Sequence, residues 1–193
     1  MEVEKDARDT RNESWKIVGS KREWLRLNEH IKAIGDLPQK DRANLIIKNL
    51  DGCVNDINDN RRSLGIIKPS VTECYFGIRE GYTPSFQYSL FKRSLLGKKN
   101  FPLVPRIKYR CSNCKVNNVH DQQVIDWGFY EWLRKYPDKK EQVWKNARIG
   151  NLESDIYFLV GNQMLHRRSF MIISVLYIPK SLEDLNQAKL KLV

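Results

Sequence analysis

The sequence predicts an α+β protein built on a mainly antiparallel sheet with helices packed on it and a small zinc knuckle. Three observations carry this. Helical periodicity fills the front of the chain, period-two and β-rich runs fill the middle and back, and two apolar runs late in the chain, joined by GNQMLHRR, read as a hairpin. With 193 residues, 41% hydrophobic and 30% charged, the chain can bury one sizeable core.

Residues 1–13 alternate charges without apolar periodicity and read as a flexible tail; residues 14–193 read as a single α+β domain. Its front part, 20–60, is helical. Trp15, Ile17 and Val18 suggest a short strand. Trp24, Leu25, Leu27, Ile31 and Ile34 share a helical face between Lys21 and Gly35, and Ala43, Ile46, Ile47 and Leu50 share another behind Pro38. The polar run from Asp56 to Arg62 reads as a loop, and LGIIKP as a buried turn.

The strand, knuckle, helix and hairpin part occupies 61–180. Val71 to Ile78 is a β-branched, aromatic strand, and 81–105 an irregular loop with one short helix around Tyr88 to Leu96. From Pro105 to Cys111, Ile107, Tyr109 and Cys111 alternate with Arg106, Lys108 and Arg110, as in a strand with one wet, basic face. Asp121 is the expected N-cap of a helix with the stripe Ile125, Phe129, Trp132, Leu133 and Tyr136, stopped by Pro137. Asp138 caps a short helix through Arg148. Asp155 to Val160 and Ser169 to Ile178 form the hairpin, and 181–193 a C-terminal helix with Leu182, Leu185, Ala188 and Leu192 on one side.

Charge narrows the function classes. The net charge is +11, and residues 61–115 hold 12 Lys and Arg against only Glu73 and Glu80. Such a field attracts polyanions, so DNA or RNA is the expected partner, held by its phosphates through Lys92, Arg93, Lys98, Lys99, Arg106, Lys108, Arg110 and Lys115. The bland alternative is a solubilising surface. A protein partner is permitted by the amphipathic ends. No apolar run is long enough to span a membrane and the charged start has no apolar signal core, which points to no membrane and to the cytoplasm.

Four cysteines are too few for a disulfide scaffold at this length. Cys111 and Cys114 stand at C-x2-C spacing, which lets two thiolates meet one tetrahedral ion. The residues KVNNV separate them from the next helix, so neither thiol gains the helix N-terminus a redox pair needs. The expected zinc ligands are Cys111, Cys114, His120 and His166, the last at the hairpin tip; Cys74 or Cys53 would serve equally well electronically, and His30 less so. Whether any reaction is catalysed stays open: an alternative reading is a phosphodiester- or nucleotide-acting enzyme with His120 and His166 as acid and base, Asp126 as orienting carboxylate, and Arg167 or Arg168 stabilising phosphate charge. The chain has no P-loop, Rossmann glycine pattern, HExxH or GxSxG to favour it. The aromatics of WGFYEWLRKY read mostly as core, with Tyr82, Phe86, Tyr88, Phe91 and Phe101 as better base-stacking candidates.

The words LGIIKP, HDQQVIDWGFYEWLR, YFLVGN and HRRSFMIISV resemble segments of a group of uncharacterised prokaryotic proteins, over roughly Trp15 to Lys180. Those relatives place a histidine closer behind the second cysteine than His120 stands here, which counts against His120 as a ligand. The resemblance implies one compact domain and no particular chemistry.

Overall fold

The computed structural model describes residues 3–5, 15–18, 35, 37–78, 102–114, 119–163 and 166–181. The helices expected over 21–34, 88–96 and 181–193 fall outside them, apart from Ser181. Strands β1 (Val3–Lys5) and β2 (Trp15–Ile17) pair antiparallel; β1 lies within the expected flexible tail.

Two larger sheets form the body. The first has the order β3–β4–β8–β9, with β3 Leu50–Asp51, β4 Leu64–Ile67, β8 Ser154–Gln163 and β9 His166–Pro179. The second has the order β5–β6–β7, with β5 Pro69–Ile78, β6 Leu103–Cys111 and β7 His120–Gln123. All pairings are antiparallel except the short β3–β4 pair, which is parallel. The sheets are joined where the Ile125 N–H donates to the Ile172 carbonyl at 2.7 Å, beside a bridge between Val124 and Ile172.

The period-two pattern sorts the first sheet's side chains into two layers. Ile66, Tyr157, Leu176 and Ile178 face helix α1 (Gln39–Lys48), which contributes Ala43 and Ile46 to a small core. Ile67, Phe158, Val160 and Ile172 face the opposite way, where they meet Ile107 and Tyr109 of β6, Val124, and helix α2 (Val54–Asp59) through Val54 and Ile57. Helices α3 (Trp127–Lys135) and α4 (Gln142–Asn146) close that main core with Phe129, Val143 and Trp144. Gly65 is required at the α2–β4 contact: a Cβ there would lie 2.5 Å from Asp51 Oδ2 and 2.7 Å from Ile57 Cγ1.

Several local expectations change. The polar run 56–62 is helical through Asp59, because Val54 and Ile57 fall on one buried side of α2. LGII is a strand, since its alternation of Gly65 and Ile67 against Leu64 and Ile66 matches the two faces of the sheet. Asp121 caps no helix. It lies on β7 opposite Lys108, and the N-cap is Asp126, whose Oδ1 accepts the Gly128 N–H at 2.8 Å. The hairpin strands run on to Gln163 and from His166, leaving a much shorter tip than GNQMLHRR suggests. The aromatic helix is only partly core: Phe129, Tyr130 and Leu133 are buried, but Trp127 is 57% and Tyr136 46% exposed.

Candidate metal centre

The centre is assembled from three elements that meet below β6. Cys53 is the N-cap of α2, directly after β3, and is buried. Cys111 is the last residue of β6, placed inward by the same alternation that buries Ile107 and Tyr109. Cys114 follows in the turn, and His120 opens β7 opposite Tyr109. The two cysteine loops are fastened by backbone, as the Asn113 N–H donates to the Gly52 carbonyl at 3.3 Å. A Cβ on Gly52 would come within 3.2 Å of Asn113 Cβ and 3.1 Å of Asp56 Oδ2, so glycine permits the approach.

The ligand atoms of Cys53, Cys114 and His120 all lie within 4.8 Å of one another. His120 Nε2 stands 3.9 Å from Cys53 Sγ and 3.7 Å from Cys114 Sγ. Zinc–sulfur and zinc–nitrogen bonds of about 2.3 and 2.05 Å at a tetrahedral angle place S and N about 3.6 Å apart. Both sulfur–nitrogen distances are therefore within a few tenths of an ångström of what one tetrahedral ion requires, and the group could hold a metal ion. Cys111 adjoins it, with its thiol against that of Cys53 and the backbone amide of Val54 facing its sulfur.

Electrostatics in this pocket oppose free thiolates. Burial pushes the Cys53 thiol up, against the Asn55 amide at the α2 N-terminus, which favours the thiolate. Burial pushes Cys111 up to about 12, with the neighbouring sulfurs adding to it and the Val54 amide opposing. Burial lowers His120, which keeps its imidazole neutral, the form that ligates. Its ring lies against Tyr109, with centroids 5.3 Å apart; the buried Tyr109 hydroxyl donates to Gln122 Oε1 at 2.8 Å. A cation would reverse the thiol preference, since it supplies the charge that the buried sulfurs lack.

Of the ligands expected from sequence, Cys114 and His120 are brought together and Cys111 stands beside them. His166 is not in the group. It is exposed at the first position of β9, in register with Gln163, because the hairpin extends beyond its expected tip. Cys53 takes its place, and only the folding of α2 onto β6 brings it there. Cys74 is a half-buried thiol held up to about 11 by burial, with Glu141 and Glu73 adding to the effect; it lies outside the group.

The residues of the enzyme reading are not gathered. Among the described residues, His120, His166 and Asp126 do not come within 4.8 Å as a set, and both Asp126 oxygens are engaged: Oδ2 accepts the Ser174 hydroxyl at 2.8 Å and the Val175 N–H at 3.2 Å. Arg167 and Arg168 are exposed near the hairpin tip.

The basic strand is outward-facing, as its alternation predicts, but two of its three cations have carboxylate partners. Arg106 Nε donates to Asp121 Oδ1 and to the Tyr75 hydroxyl, both at 2.9 Å, and the Tyr75 hydroxyl donates to Asp121 Oδ2 at 2.6 Å. Lys108 pairs with Glu73 at 2.7 Å. Arg110 is exposed and has no carboxylate partner among the described residues. Lys92, Arg93, Lys98, Lys99 and Lys115 lie outside the described residues.

Compared with known families, residues 54–192 match the model of a domain of unknown function, DUF8757. The chain belongs to the DUF8757 family. Cys111, Cys114 and His120 fall within the DUF8757 span, and Cys53 stands one position before it. No curated protein and no solved structure matches the chain. No helix among the described residues is long and apolar enough to cross a membrane.

Proposed function

We propose that this DUF8757 protein binds nucleic acid, DNA or RNA, through its phosphate backbone, on a scaffold fastened by a structural zinc ion. The observation that carries the reading is the soft-donor group of Cys53, Cys114 and His120 in a chain whose residues 61–115 hold 12 Lys and Arg against two Glu. Thiolate sulfur with imidazole in near-tetrahedral array favours zinc among common cations. A small adjustment of Cys111 gives a Cys3His shell, which leaves no position for a reacting water and makes the ion structural.

The ion pairs refine which cations face a phosphate. Of the 12 in residues 61–115, Arg62, Lys68, Arg106 and Lys108 are tied to Asp51, Asp155, Asp121 and Glu73. That leaves Arg61, Arg110 and Lys115 with the five cations of residues 79–101 as the phosphate contacts of this reading. The insertion leaves β5 and returns at β6, the end of the sheet opposite the metal centre, so the ion holds the scaffold and does not itself present the insertion.

The experiment is a salt titration of binding to labelled duplex and single strands, with Lys92, Arg93, Lys98 and Lys99 changed together to Glu. The log–log salt slope should flatten by about 0.9 per lost phosphate contact on duplex and about 0.7 on single strands. Absence of binding by the wild-type protein at low salt refutes the reading.

A further inference from the structure

Helix α3 ends on an aromatic pair of which one ring, Trp132, is half-buried against the main core and the other, Tyr136, is exposed. The rings of Trp132 and Tyr136 lie with centroids 4.5 Å apart, and Tyr136 is 46% exposed. The geometry is fixed from three sides. Pro137 stops the helix immediately after Tyr136, the Tyr136 N–H donates to the Trp132 carbonyl at 2.8 Å, and Trp132 Nε1–H donates to the Lys139 carbonyl at 3.0 Å. With its only donor spent inside the fold, Trp132 has no rotational freedom to lose on binding.

The surroundings of this pair are cationic. Lys135, Lys139 and Lys140 are exposed within four residues of Tyr136, with Asp138 as the nearest carboxylate in sequence. Glu131 is occupied by Arg134, at 2.9 Å, and more distantly by Lys135, at 4.0 Å. Lys140 Nζ lies 5.6 Å over the ring of Phe76, an aromatic outside the pair. An exposed ring backed by a held one and flanked by ammonium groups suits a ligand that alternates flat π-faces with anionic charge, which describes an unpaired nucleic-acid strand. In a duplex the base faces are already stacked on one another and cannot meet the ring.

We infer that Tyr136, backed by Trp132, is a stacking platform for an unpaired base, with Lys139 and Lys140 taking the adjoining phosphates. This rests on the nucleic-acid reading above and adds to it a preference for single strands.

The test measures the affinity of a labelled oligothymidylate and of a labelled hairpin duplex by fluorescence anisotropy, at one fixed salt concentration. Tyr136→Ala should weaken the oligothymidylate by about 5- to 100-fold and leave the duplex unchanged, whereas Tyr136→Phe should restore single-strand binding. Tyr136 is half-exposed, so both variants should keep the wild-type melting temperature within a few degrees. If Tyr136→Ala binds the oligothymidylate as the wild type does, the platform is overturned while the nucleic-acid reading stands. If polyglutamate competes as well as unlabelled oligothymidylate, the surface reads charge alone, and the stacking inference is equally overturned. If the wild type binds neither probe, both readings fall together.

Discussion

Replacing Cys53 by Ser tests the centre most directly, because Cys53 and His120 are 67 residues apart in sequence and 3.9 Å apart in space. A metal ion that bridges them closes that loop in the unfolded chain as well as in the native one wherever it stays bound. By the chain-entropy relation used for disulfides, a link over such a loop stabilises by about 4 kcal/mol. For a chain of this size about 1 kcal/mol moves the melting temperature by about 2–4 °C, so the loss should be roughly 10–15 °C. The assay is differential scanning fluorimetry of protein prepared with zinc, with and without a chelator, alongside metal analysis. Wild type should carry about one equivalent of zinc and lose those degrees on chelation. Cys53→Ser should start near the chelated value and not respond further. Cys74→Ser, outside the group, should keep both the metal and the response. A wild-type protein that melts at the same temperature with chelator as without it would refute the reasoning.

Other substitutions probe the fold around the centre. Gly65→Ala should destabilise by about 1–3 kcal/mol in urea melts, since its Cβ meets Ile57 and Asp51; pairing it with Ile57→Ala should recover part of the loss, and an unchanged midpoint for the single variant would contradict the packing. Asp126→Ala removes the α3 cap and leaves the Val175 N–H without its acceptor, a loss of about 2–3 kcal/mol by the same assay. Arg106→Glu should cost about 1–2 kcal/mol because it sets a carboxylate against Asp121, whereas Arg110→Glu should stay within about 0.5 kcal/mol of wild type. Equal effects of the two would show that the Tyr75–Asp121–Arg106 cluster does not form. Partial desolvation raises the pKa of the Asp121 carboxyl, but the hydrogen bonds from Tyr75 and Arg106 outweigh it and depress the pKa. Its contribution is therefore present above the unfolded value near 3.8 and is lost as pH falls through the lower folded value; in Arg106→Ala this acid-limb dependence should shrink in a pH series of melting temperatures.

The sheet was legible where burial alternates. Ile107, Tyr109 and Cys111 mark β6 because one side of that strand is fully buried and the other is wet. The apolar runs of β8 and β9 were legible for a related reason, though not their length, because polar residues at a hairpin end pair as readily as apolar ones. α2 was hidden because only Val54 and Ile57 are buried in six residues, too few to show a period. The sequence points to Asp121 as the cap, and the structure places Asp126 there instead. What separates them is tertiary: the first is opposite Lys108 on β6, and the second is met by Ser174 and Val175 of β9. In the metal-capable group Cys114 and His120 are close in sequence and so legible together, while Cys53 was one of several distant donors that spacing cannot rank.

A charge count shares that blindness, and here it matters more for function. The sum of +11 treats Arg106, Lys108 and Arg110 as equals, yet two of them sit across the sheet from carboxylates supplied by neighbouring strands and one does not. A partner phosphate approaching Arg106 has to displace Asp121, and the gain is the difference between two ion pairs, which at a wet surface is close to zero. Arg110 has no carboxylate partner among the described residues, and a phosphate approaching such a cation displaces only water and counterions, whose release is the source of salt-dependent affinity. Affinity for a polyanion therefore scales with the unpaired cations and not with the total. On the proposed nucleic-acid reading, the mutations that remove binding should be those of Arg110, Lys139 and Lys140 and of the cations in residues 79–101, while the paired residues of the strand govern its stability.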